Sequence, residues 1–158
     1  MPAPEAAAVE IGDWPTWGAF VLAGISLLWQ FVNEWRSSKK QKLSYQLSRI
    51  ESLEASVAEV RSYAMSYWLQ PEQASARDGI MLIHHLRELS VSASRYESFL
   101  WHSVKTDVLQ LKVETTGSKF QEANRPQMQP GDPFVKAFMA TAADLSRRLK
   151  DRKDQLEK

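Results

Sequence analysis

The 158-residue sequence contains no cysteine. That excludes disulfides, thiolate nucleophiles and cysteine-ligated metal sites. Glycine and proline are scarce, at six and seven. Leu43 to Leu69 has neither, which argues for helix and against a β-rich fold with its many turns. Lysine and arginine are absent from residues 1–35, where Glu5, Glu10, Asp13 and Glu34 give −4. All twenty bases and the other fifteen acids lie in 36–158, which carries +5. The near-neutral total of +1 therefore hides a polarity along the chain.

Motifs with a chemical mechanism are also missing. There is no GxxxxGK[ST], GxGxxG, GxSxG or HExxH, so no phosphate cradle, dinucleotide turn, nucleophile elbow or zinc helix is written here. His84 and Glu88 share a helix face with His85 beside them, and His102 is the only other histidine. A metal site needs more ligands at fixed spacing, so these read as a local pair. No Ser–His–acid set or carboxylate pair can be singled out. The expectation is no enzyme, no cofactor and no metal. Four of the bases directly follow the apolar run, and Arg147, Arg148, Lys150, Arg152 and Lys153 alternate with acids. Such a pattern is a solvated face and argues against nucleic acid as a partner. Trp68, Tyr96, Phe99, Trp101 and Phe120 fall at helical spacings and read as core before they read as an aromatic pocket.

What the sequence does contain is an apolar run, WPTWGAFVLAGISLLWQFV, of 19 uncharged residues from Trp14 to Val32. As a helix it covers roughly 28 Å, close to the hydrocarbon thickness of a bilayer. Trp14 and Trp17 stand at one end, Trp29 and Trp35 at the other, the placement indole rings favour in the headgroup zone. Asp13 can cap the helix, and Pro15 falls in its first turn. The acidic residues before the run and NEWRSSKK after it do not fit a cleaved signal peptide. Arg36, Lys39, Lys40 and Lys42 follow at once. They keep that end in the cytoplasm and offer contacts to anionic lipid. Residues 14–35 are therefore expected to span a bacterial inner membrane once. Residues 1–13 would form a short extracytoplasmic N-terminus, with the C-terminal domain cytoplasmic.

Inside this span Thr16, Ala19, Ala23, Ser26, Gln30 and Asn33 are spaced 3, 4, 3, 4, 3. They share one face, and all are small or polar, while the bulky apolar residues mostly lie elsewhere. Such a seam prefers another helix to lipid, so a homo-oligomer is expected. A conducting pore is a lesser reading, because no central residue is charged.

The rest reads as helices. Segment 36–70 holds the basic juxtamembrane residues and a long amphipathic helix. Leu43, Leu47, Ile50, Leu53, Val57, Val60, Ala64 and Tyr67 follow a heptad with one residue lost near Ile50. A coiled-coil-like stalk and the first helix of a bundle give the same pattern; the bundle is preferred because later segments need a partner. In 71–158, PEQASARDG reads as a loop or a loosely formed first turn of the next helix. Ile80 to Leu111 reads as one helix, or two with a bend near SVSAS. Gly117 marks a stop, and 124–133 is a proline-rich loop. Asp132–Pro133 starts a last helix with a charged tail expected to fray. The fold class is all-α: a transmembrane helix, then a cytoplasmic bundle of three to four helices.

ISLLWQFVNEWRSSKK, followed by the Leu43–Leu69 helix, resembles small bacterial single-pass membrane proteins with a helical cytoplasmic domain. These are often found in mobile or phage-defence loci. The resemblance covers about the first 70 residues and transfers no site residue. It implies a defence-linked membrane component, with membrane lipid and a cytoplasmic protein as partners. Two functions follow as expectations: a self-associating, membrane-perturbing effector, or a passive tether or scaffold that recruits that partner.

Overall fold

The computed structural model describes residues 14–117, 119–122 and 125–158, with side chains for all of these except 14–20 and 72–74. The expected extracytoplasmic segment, 1–13, lies outside the described residues. Four helices and no strand occur among them: α1 (Trp14–Leu69), α2 (Glu72–Tyr96), α3 (Val104–Thr116) and α4 (Pro133–Glu157). The chain divides into two compact units, 1–42 and 43–158. Helix α1 is continuous through the junction, as the breaker-free RSSKKQK allows.

The second unit is a four-helix bundle built from residues 43–69 of α1 with α2, α3 and α4. The heptad row supplies its first face. Ile50, Leu53, Val57, Val60, Ala64 and Tyr67 are all buried. They meet Leu82, Leu86 and Leu89 of α2, Val108 and Leu111 of α3, and Val135, Phe138, Leu145 and Leu149 of α4 in one core. This settles the stalk question for 50–67: the row packs inside its own chain.

Side-chain pairs fix the topology. Glu59 and His85 approach to 3.0 Å, and Ser66 donates to Asp78, so α2 runs antiparallel to α1. Arg148 bridges Asp107 at 2.9 Å and Thr141 donates to Glu114, so α4 is antiparallel to α3. Lys153 reaches Glu51 at 2.6 Å at one end of the α1–α4 pair, and Trp68 meets Phe134 at the other. The helices thus run up, down, up, down.

The end of α1 is capped from a distance. It has no basic residue in its last turn, yet its final carbonyls cannot be left bare. Met128 N–H donates to Trp68 O at 2.9 Å, Gln127 Nε2 to Leu69 O at 2.7 Å and Arg125 Nη2 to Gln70 O at 3.2 Å. The proline-rich loop is therefore a strap over the helix end. Trp68 also donates Nε1–H to Thr115 O at 2.8 Å and packs edge-on against Phe134.

Three expectations are corrected. PEQASARDG is not a loop: α2 begins at Glu72, and Gln70 and Pro71, the latter at φ −59° and ψ 151°, make the whole turn from α1. Gly79 is no breaker, because it clears space; a Cβ there would lie 2.7 Å from the Tyr67 ring. The second correction concerns SVSAS, which does not bend. Ser90 Oγ donates to Leu86 O at 2.7 Å within the helix. The break falls at 97–103, where Phe99 and Leu100 N–H both turn back to Tyr96 O and Trp101 Nε1 donates to Asp107 at 2.6 Å. Finally, the charged tail does not fray before Glu157. Arg152 Nε donates to Phe99 O at 2.8 Å, and the Lys153–Glu51 pair adds a second tie.

Candidate functional site

In the first unit, the described side chains of the apolar run, 21–32, and of 33–35 after it lie on α1. Val21, Leu22, Ile25, Leu27, Leu28, Trp29, Phe31, Val32 and Trp35 are all exposed, Leu28 and Trp29 by 68% and 71%. At 100° per residue these nine cover about 220° of the helix circumference. The remaining arc holds Ala23, Ser26, Gln30 and Asn33, also exposed. Thr16 and Ala19, expected in the same seam, lie in α1, but their side chains are outside the described residues.

Arg36, Lys39, Lys40 and Lys42 follow along α1 and are exposed. Lys39 Nζ sits 3.7 Å over the Trp35 ring. This i, i+4 cation–π contact ties an amphipathic indole to the basic cluster. Among the described residues no helix is long and apolar enough to cross a membrane. The part described, 21–32, covers about 18 Å against roughly 30 Å of hydrocarbon. The expected span draws its other residues from 14–20.

The bundle places the remaining candidates. His84 and Glu88 do pair, at 3.4 Å. The fuller arrangement was not legible in the sequence: His85 is half-buried, 3.0 Å from Glu59 and 3.7 Å from Glu88, and stacks on Tyr63 at 5.0 Å. Only the register of α1 against α2 brings Glu59 and Tyr63 there. No group of three or more His, Asp or Glu side chains fit to hold a metal occurs among the described residues. A cleft of about 480 Å³ runs past Ser52, Ser56, His84 and Glu88. Its Ser56 hydroxyl donates to Ser52 O at 3.0 Å.

Trp68, Tyr67, Phe120 and Phe134 form a contiguous aromatic cluster, with Tyr67 and Trp68 buried. Tyr96 is buried too, and Phe99 and Trp101 pack against the core. These rings build the bundle, and Tyr67 also borders a cavity of about 200 Å³ with Ser75, Gly79 and Arg125. The hydrogen bond of Lys153 with Glu51 raises the lysine's pKa.

No protein-family model, curated protein or solved structure matches the chain.

Proposed function

We propose that the chain is a non-enzymatic, single-pass inner-membrane protein that self-associates through its span and perturbs the bilayer. It would be an effector of the kind met in phage-defence loci, with the four-helix domain in the cytoplasm. One observation carries the reading: nine large apolar side chains between Val21 and Trp35 stand exposed over most of a helix circumference. A helix in water does not sustain such a surface, whereas lipid covers it without further design. The basic residues that close the run fit a cytoplasmic, anionic leaflet. The arc of Ala23, Ser26, Gln30 and Asn33 supplies a face on which a second span can pack and hydrogen-bond.

A passive tether is the second reading. It is favoured by Ile80, Ile83 and Val91, which α2 leaves exposed and a recruited protein would cover. The double change Ser26→Leu, Gln30→Leu separates the two. For an effector, crosslinked oligomers and overexpression toxicity both disappear while membrane insertion persists. Toxicity that never arises, or that survives the change, rules the effector out and leaves the tether.

A further inference from the structure

The bundle's exposed apolar surface is unevenly distributed. Apart from Tyr45, every large exposed apolar side chain described in 43–158 lies on α2 or α3: Ile80, Ile83, Val91, Leu109 and Val113. At 100° per residue, Ile80, Ile83 and Val91 fall within about 80° of one another on α2. Between α2 and α3 runs a cleft of about 320 Å³, bordered by Ser90, Ser94, Lys105, Val108, Leu109 and Lys112. Leu109 and Val113 are one turn apart and extend its apolar lip.

Cations on these two helices outnumber their carboxylate partners. The described acids of the two helices are already engaged: Asp78 by Ser66, Glu88 by His84, Asp107 by Arg148 and Glu114 by Thr141. Lys105 is taken up by Glu97. Arg87, Arg95 and Lys112 have no carboxylate partner among the described residues. An apolar strip rimmed by uncompensated cations complements an apolar strip rimmed by acids.

We propose that the α2–α3 groove docks an acidic amphipathic helix of another protein, apolar side chains against Leu109 and carboxylates toward Lys112. A groove between two packed helices accepts the side-chain ridge of a third. A second copy of this chain is a poorer occupant: neither α4 nor residues 50–69 of α1 shows a large exposed apolar side chain. A bilayer is poorer as well, since no aromatic ring is exposed on this face to sit in the headgroup zone.

All these residues belong to the bundle, so the inference stands apart from the proposed span. The test uses the full-length chain and a fluorescein-labelled synthetic peptide with leucine at i, i+3, i+4 and i+7 and glutamate on the other face. A scrambled peptide of the same composition is the control, and anisotropy is the readout. Saturable binding of the patterned peptide is expected, weakening with added salt. Lys112→Glu and Leu109→Glu should each reduce it about tenfold or more, the loss typical of an interface anchor. Both positions are exposed, and unchanged circular dichroism would confirm the fold. Lys150→Glu, on α4, should leave binding unchanged, and so should the Ser26→Leu, Gln30→Leu variant. Equal binding of the scrambled peptide, or no effect of Lys112→Glu, overturns the proposal. Displacement by anionic vesicles would reassign the face to lipid, and Leu109-dependent oligomers would reassign it to a second copy.

Discussion

Two glycines in one loop region should respond very differently to the same substitution. Gly117 ends α3 at φ 57° and ψ 179°, a backbone region that side-chain-bearing residues essentially do not occupy. Forcing alanine there costs about 1–3 kcal/mol in backbone strain. The added Cβ also meets the Phe134 ring at 2.8 Å. That ring lies edge-on against Trp68, itself fixed by its bond to Thr115 O. Neither ring can yield freely, so overpacking adds about 1–3 kcal/mol. Gly117→Ala should therefore destabilise the bundle by about 2–6 kcal/mol. Gly131 has no atom within 4 Å of its would-be Cβ and no left-handed φ. Gly131→Ala should lie between neutral and about 1 kcal/mol stabilising, through the lost entropy of the unfolded chain. Urea titration of the full-length chain, followed by far-UV circular dichroism and tryptophan fluorescence, measures both. Equal midpoints for the two variants would refute the account of how α3 ends against Trp68 and Phe134.

Other perturbations follow from the same contacts. Phe138 is fully buried, and Phe138→Ala should cost about 3–5 kcal/mol by chemical denaturation. Asp132 caps α4 by accepting from Phe134 N–H at 2.8 Å; Asp132→Ala should cost about 1 kcal/mol, with Asp132→Asn or Asp132→Ser retaining most of it. Lys153 has its pKa raised above 10.5 by Glu51. The stabilisation from that pair is complete below pH 10.5 and lost as pH climbs through the raised value. The stability gap between the native chain and Glu51→Gln should thus be flat near neutral pH and close only in strong alkali. Reversing Lys39 or Lys40 to glutamate should weaken co-sedimentation with anionic vesicles, each lost cation being worth about 1 kcal/mol or roughly fivefold.

Most of the bundle was legible because its signals are local and repeated. The row from Ile50 to Tyr67 keeps one face apolar over five turns, and burial follows it residue for residue. Asp132–Pro133 carries its own helix start. Less legible were the places where a distant contact decides. Gly79 looks like punctuation until Tyr67 is set against it. The serines of SVSAS look like a bend until Ser90 is seen to bond within its own helix. RRLKDRKDQLEK looks like a fraying end until Phe99 O and Glu51 are placed beside Arg152 and Lys153. The strap over α1 is the extreme case: Arg125 serves a helix end 55 residues earlier in the chain. The His85–Glu59–Tyr63 group had no sequence signal at all, since its members lie on different helices and only register unites them.

Ser26 and Gln30 tie these threads to the proposed function. Both lie in the arc that the nine large apolar residues leave open. In water, exposed serine and glutamine cost nothing and would explain nothing. Within the proposed span, a hydroxyl and an amide facing hydrocarbon without partners cost on the order of 2 kcal/mol or more each. That cost falls when a second span brings its own Ser26 and Gln30 across the seam. Interhelical polar bonds in membranes are worth about 0.6 to 2 kcal/mol each. Two such residues therefore give roughly 1–4 kcal/mol per helix pair, or about fivefold to several hundredfold in the association constant. The lower limit is too weak to hold an oligomer without help from close packing at Ala23, and the upper limit is ample. A Gln30→Leu chain that still crosslinks would place the driving force in packing at Ala23, and Ala23→Leu would then be the change that separates the helices.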